Sequence, residues 1–390
     1  MKNVPEIKSM FPKELLNTST SERLRYFKKQ AVVIHQRMEE AVEEILEAVG
    51  SMCDQNLILL IGPTGVGKTE ALKEAVRRAV AERESEVQSK VHVVPAIFVE
   101  ADAPDRGNFD WRAFYVTGLT ELGEPLIGST LPCAPRIAHD QVIQTIVPED
   151  HHRAPTVGAL RGRFRNSLLR RETVLIGIDE AVNLLQAHST RNASHRSELL
   201  RAAGNSVRSL VNKSTATIVL AGAFDFYDLA SSTAQLARRS HVVYFREYGD
   251  SAKDMEGFSS ALLGLLAHLP IEHALDPNEL GAELFIQGVG CVGVVKTILQ
   301  RALMKALNRG KPLDPNILRS CYYSKAKLEV MRQEMLQGGA KVRELLKVSE
   351  FEEWLAKPPA KPTEDKSKQV VKPSARRGKP FENKPTRRWR

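Results

Sequence analysis

Gly62-Pro63-Thr64-Gly65-Val66-Gly67-Lys68-Thr69 decides how this 390-residue chain is read. The spacing, G-x-x-x-x-G-K-[ST], is that of a phosphate-binding loop. An apolar run, Leu57 to Ile61, precedes it. A helical pattern starting at Glu70 follows, with Leu72, Val76 and Ala79 on one face. A strand, a glycine-rich turn and a helix N-terminus in that order aim backbone N–H groups at one spot, where they wrap the phosphates of a nucleotide. Lys68 is placed to reach the β and γ oxygens, and the Thr69 hydroxyl to help hold Mg²⁺. Gly62, Pro63, Thr64, Gly65, Val66, Gly67, Lys68 and Thr69 are therefore the expected nucleotide-binding residues, with ATP or GTP as the ligand.

Outward from the loop, apolar runs alternate with helical patterns. Before it, Met38, Val42, Ile45, Leu46 and Val49 recur at helical spacing on an acidic helix. After it, Val91 to Val99 reads as a strand, and residues 101–157, with several prolines, as a long irregular insertion. A basic helix, Val157 to Arg170, leads into the continuous apolar run Thr173 to Ile178. A helix over Glu198–Val211 and strands over Thr217–Ala221 and His241–Phe245 follow. Such runs, separated by helices, predict a parallel sheet covered on both faces. From Asp254 to about Leu346 only helices are expected. The predicted organisation is a helical segment over 1–55, an α/β nucleotide domain over 56–250, an α-helical lid over 251–346 and a basic tail over 347–390.

The run ending at Ile178 delivers Asp179-Glu180. A carboxylate at a strand end beside a phosphate loop orients water on Mg²⁺, the role expected of Asp179. Glu180 is placed to orient or deprotonate the water that attacks the γ-phosphate. The strand Thr217–Ala221 is expected to end near that phosphate on a polar sensing residue. It continues instead as Ala221-Gly222-Ala223-Phe224, with no polar side chain before Asp225. Arg238 and Arg239, ahead of the last strand, are positioned to reach a neighbouring subunit's nucleotide and steady transition-state charge. The alternative for the pair is a solvated cap on a helix C-terminus. Lys296, near the start of the helix opened by Gly290-Cys291-Val292-Gly293, is a further candidate nucleotide contact from the lid. An arginine would be expected at Gly293.

Charge is unevenly placed. Residues 357–390 hold 12 Lys/Arg against 3 Asp/Glu, which equals the chain's whole net charge of +9 and leaves the remainder neutral. With six of the 20 prolines, this tail cannot bury enough surface to fold alone and is expected to be disordered. It reads as an arm for DNA phosphates or an acidic partner, as a short docking motif through Phe381 and Trp389, or as a solubilising tail. No stretch approaches the roughly 20 unbroken apolar residues of a membrane span, and no signal-peptide segment opens the chain. Cys53, Cys133, Cys291 and Cys321 lack metal-ligand spacing and are expected to be reduced. A cytoplasmic protein is the expectation.

The order of these parts is similar to that of AAA+ ATPases. Four stretches narrow the resemblance to the TnsC/TniB transposition regulators: Ser21 to Tyr26; Gly107-Asn108-Phe109-Asp110-Trp111-Arg112 with Gly123 to Ile127; Ile218 to Phe226 with Gln235 to Ser240; and Gly290 to Gly293. The phosphate loop's Pro63 to Val66 wording, Ala223 and the basic tail depart from the family pattern. The resemblance implies an AAA+ P-loop NTPase with a parallel central sheet and an α-helical lid, using ATP and Mg²⁺. It also implies ring or helical oligomers on duplex DNA in a bacterial, nucleoid-associated setting, linking a target-selection protein to a transposase. Arg106, Arg112 and Arg136, in the inserted loops, are the candidate DNA contacts. Arg161, Arg163 and Arg165 are spaced around a helix and read equally well as solvent-exposed. A replication or helicase loader, or a signalling scaffold that never meets DNA, are the other readings.

Overall fold

The computed structural model describes residues 9–51, 56–104, 109–124, 155–185, 216–224 and 240–344, with the backbone of a short antiparallel hairpin, Arg136–Ala138 and Gln141–Ile143. The helix expected over 198–211 and the basic tail lie outside the described residues.

Five strands form one parallel sheet: β1 (Leu57–Ile61), β2 (Ala96–Glu100), β3 (Leu175–Asp179), β4 (Thr217–Gly222) and β5 (Ser240–Tyr244), in the spatial order 2-3-4-1-5. β1 lies between β4 and β5, pairing Leu59 with Leu220 on one side and with Val242 on the other. Successive side chains of a strand point to opposite faces, and β1 divides accordingly. Ile58 and Leu60 enter the core under the N- and C-terminal helices, and Leu57, Leu59 and Ile61 enter a second core on the far face. All five are buried, as a strand covered on both sides requires.

Helices α1 (Thr20–Lys29), α2 (Gln36–Gly50) and α3 (Lys68–Glu82) feed the first core, with a short α4 (Glu84–Ser89) after α3. The second core is closed by α5 (Trp111–Glu121) and α6 (Val157–Arg170). The C-terminal part is helical: α7 (Ala252–Ala267), α8 (Pro277–Gly288), α9 (Val292–Arg309), α10 (Pro315–Arg319) and α11 (Lys325–Glu344). Val292, Val295, Leu299, Ala302 and Ala306 put one face of α9 into the first core.

Two expectations are corrected. The strand predicted over Val91–Val99 begins only at Ala96. Residues up to Val94 run as a turn and coil, and Val91 is 98 % exposed. The region 101–157 is not irregular throughout, because α5 lies inside it. The Asp110 carboxylate caps that helix, accepting from the N–H groups of Arg112 and Ala113. Phe109, Phe114, Tyr115 and Leu119 bury it against α6.

His35 couples the first core to the region behind the phosphate loop. It is buried at the N-cap position of α2, with Nδ1 3.1 Å from the Tyr248 hydroxyl and its ring beside Phe245. Burial, reinforced by the Arg37 charge against a weaker opposing pull from Glu40, lowers its pKa from 6.5 to about 4. The folded ring is thus neutral where the unfolded ring binds a proton. Stability from this group is complete above the unfolded value and is lost as pH falls toward 4, about 3 kcal/mol in all. His35→Gln is expected to flatten that part of the pH dependence in urea unfolding. Equal slopes in the two proteins would refute it.

Candidate nucleotide site

The carboxyl ends of β1, β3 and β4 open into one cavity of about 300 Å³, where an open α/β sheet binds its ligands. Thr64, Gly65, Gly67, Lys68 and Thr69 line it from the loop after β1. Asp179, Glu180 and Val182 line it from the end of β3, and Ala221, Gly222 and Ala223 from the end of β4. Gly293, at the start of α9, closes the remaining side.

The loop has the backbone a phosphate cradle needs. Gly65 at φ 82° and Gly67 at φ 115° occupy the left-handed region that side chains disfavour, and they turn the chain into α3. Gly67 offers no side-chain cap, so the first N–H groups of α3 are left to a ligand. The Lys68 Nζ donates to the carbonyls of Gly62 and Pro63, both at 2.9 Å. Burial pulls its pKa below the usual lysine range, opposed chiefly by Glu334 and then by Cys291, Asp179 and Glu180.

Among the described residues, no three His, Cys, Asp or Glu side chains are grouped to hold a metal ion. Mg²⁺ takes one or two protein ligands and completes its shell with phosphates and water. Thr69 and the buried Asp179 are the residues that would hold it. Glu180 stands one residue beyond the strand at φ 49°, an uncommon conformation for a residue with a side chain.

Lys296 is corrected. It does not line the cavity. Its Nζ donates to the Lys28 carbonyl at 3.2 Å, tying α9 to α1, and burial lowers its pKa. Gly293 takes the lid position instead, and packing forbids a side chain there. A Cβ on Gly293 would stand 2.5 Å from the Gly65 carbonyl oxygen. The missing arginine thus has a steric reason. Gly62, Pro63 and Val66 shape the loop from behind without facing the cavity. Arg238, Arg239 and Arg106 lie outside the described residues, as does the Arg136 side chain. Arg112 is exposed at the start of α5. Arg161 and Arg165, four residues apart, both act on the Tyr115 hydroxyl, whose pKa burial nonetheless raises to about 12.

Residues 52–229 match the AAA domain family. The fold here is the α/β AAA fold, a five-stranded parallel sheet in the order 2-3-4-1-5 followed by C-terminal helices. No curated protein matches the chain. Similar solved structures include the ORC2 protein of Aeropyrum pernix in ADPNP and ADP complexes. It is 17 % identical over 76 % of this chain and 70 % of that one, with a TM-score of 0.48. The ORC1 protein of the same organism, in complex with DNA, is 16 % identical over 79 % and 68 %, also with a TM-score of 0.48. A Walker-type ATPase of Pyrococcus abyssi is 15 % identical over 82 % and 76 %, with a TM-score of 0.37.

Several residues behind the narrower resemblance do structural work and do not line the cavity. Phe109 and Trp111 meet edge to face at 5.0 Å in the second core. Glu124 pairs with Arg170 and Arg171, and Arg23 donates to the Pro270 carbonyl. Glu334, on α11, bonds to Thr64 of the phosphate loop. No pattern in the sequence singles it out, because the two residues are 270 positions apart.

Proposed function

We propose that the chain is a Mg²⁺-dependent ATPase that assembles on duplex DNA and regulates transposition. One observation carries the ATPase part: Lys68 and Thr69 share a cavity with Asp179 and Glu180. These are the cation, hydroxyl and two carboxylates that phosphoryl transfer to water requires. Mg²⁺, when bound, neutralises charge on the phosphates. Lys68 adds a second positive charge, Asp179 orients the metal's ligands, and Glu180 accepts the proton of the attacking water. Arg238 and Arg239 would complete the site of an adjacent subunit in a ring or filament.

The DNA and transposition parts draw on the sequence resemblance and on the basic residues, Arg112 and the tail among them. A broader reading, an initiator-like AAA+ DNA ATPase such as a helicase loader, is favoured by the AAA domain itself and needs none of the narrow stretches. Both readings place the protein in the cytoplasm, on the nucleoid.

Electron microscopy of the full chain with ATP, Mg²⁺ and duplex DNA tests the shared part. Oligomers enclosing the duplex are expected, and their absence would sink both readings. Capture of a transposase by those assemblies separates the two, since only the transposition reading requires it.

A further inference from the structure

Helix α11 meets the phosphate loop through Glu334, which bonds to Thr64. Met331, Met335, Gly338 and Val342 recur at helical spacing along one face. Met331 and Met335 rest on the core under the C-terminal helices, whereas Val342 is buried in the core on the other face of the sheet. Between them Gly338 sits directly on the Phe224 ring, where a Cβ would come within 2.1 Å of the ring carbons. Phe224 follows Ala223, part of the cavity wall. From this helix the Glu334 Oε1 accepts from the Thr64 hydroxyl at 2.8 Å and from the Thr64 N–H at 3.4 Å. Thr64 lines the cavity. A carboxylate therefore takes donors on a loop shaped for phosphate oxygens.

We propose that α11 is a strap over the nucleotide cavity, with the Glu334 carboxylate in competition with nucleotide phosphates for the donors of Thr64. The proposal rests on the nucleotide reading above. A carboxylate and a triphosphate in one half-buried site repel each other, so full seating of the triphosphate expels Glu334 and lifts α11. The helix is seated by one face alone, through Met331, Met335, Gly338 and Val342. Val330 is 70 % and Leu336 50 % exposed, and only a narrow stripe of apolar side chains is buried. The strap makes nucleotide occupancy readable elsewhere, because lifting it uncovers Phe224 and the Met331 to Val342 face.

The test uses the full chain and a fluorescent ATP analogue with Mg²⁺. Glu334→Gln removes the competing charge but keeps a side chain of the same size on an exposed helix. It is expected to raise affinity roughly tenfold. Glu329→Gln is the control, since that residue pairs on the same helix with Arg332 and Gln333. It should change affinity by less than about twofold. Hydrogen–deuterium exchange supplies the second readout. Saturating ATP should speed exchange over residues 325–344 in the wild type, and Glu334→Gln should show faster exchange there without ATP. Unchanged affinity in Glu334→Gln, or exchange over 325–344 that ATP leaves unaltered, overturns the strap. If either occurs while wild-type binding is lost in Lys68→Ala, the nucleotide reading stands alone. If neither the wild type nor Glu334→Gln binds ATP, the nucleotide reading falls and the strap falls with it.

Discussion

Lys68→Ala is expected to cut ATP affinity by roughly 10²- to 10⁴-fold, the loss of two charge-assisted bonds to phosphate oxygens at about 1.5–3 kcal/mol each. The side chain is already gathered into the cavity, where its Nζ spans the carbonyls of Gly62 and Pro63. Its ammonium reaches phosphate oxygens with little reorganisation, so the contact is largely pre-formed. A buried cation among Asp179, Glu180 and Glu334 also offsets the carboxylates around it. Alanine would leave that negative charge facing an incoming triphosphate. Titration calorimetry with ATP and Mg²⁺ measures the effect directly. The ATP-induced rise in Tm gives an independent check, because a ligand that binds only the folded state stabilises it. An undiminished Tm shift in the variant would remove Lys68 from the site.

The second large effect is on turnover. Glu180→Gln should leave ATP affinity within about threefold and slow hydrolysis by roughly 10²- to 10⁴-fold, the usual contribution of a positioned general base. The backbone at this residue allows a sharper test than the amide swap alone. Glu180 is held at φ 49°, where a side chain costs about 1–2 kcal/mol and glycine costs nothing. Glu180→Gly should therefore lose hydrolysis to the same extent while its unfolding free energy stays level or rises by about 1 kcal/mol, glycine's extra chain entropy taking back part of the relief. Phosphate release in single-turnover mixing and urea unfolding read the two quantities separately. Undiminished turnover in Glu180→Gln would exclude the base role. A large loss of stability in Glu180→Gly would show that the carboxylate holds the turn together, not that it serves chemistry.

The parts of this fold that are local in sequence were legible in it. β1, the glycine-rich turn and α3 follow one another without a break, and continuous apolar runs mark β3 and β4 because both faces of those strands are covered. Two segments, the one before β2 and α5, depart from their local pattern for particular reasons. Val91, Val93 and Val94 favour a strand by type, but the sheet ladder starts with the carbonyl of Pro95, which accepts from Val174 and Leu175. Upstream of it the chain turns, with the Val93 N–H bonded to the Lys90 carbonyl. α5 leaves little helical period in the sequence, because aromatic residues occupy neighbouring positions, Phe114 beside Tyr115. Both rings are needed to fill the space against Phe164.

By itself the sequence determined the phosphate loop, its flanking strand and helix, and the Asp179-Glu180 pair, since each depends on residues close along the chain. Which groups complete the cavity was decided by tertiary structure. The strand order 2-3-4-1-5 sets Asp179 and Ala223 beside Lys68, although no spacing in the chain says that those strand ends are neighbours. The docking of α9 presents Gly293 to Gly65 and sends Lys296, one turn on, to the Lys28 carbonyl. The seating of α11 brings Glu334 to Thr64. Each of these follows from how helices pack on the sheet, and packing rewards total shape and burial rather than a local pattern, so it leaves no periodic trace in the sequence.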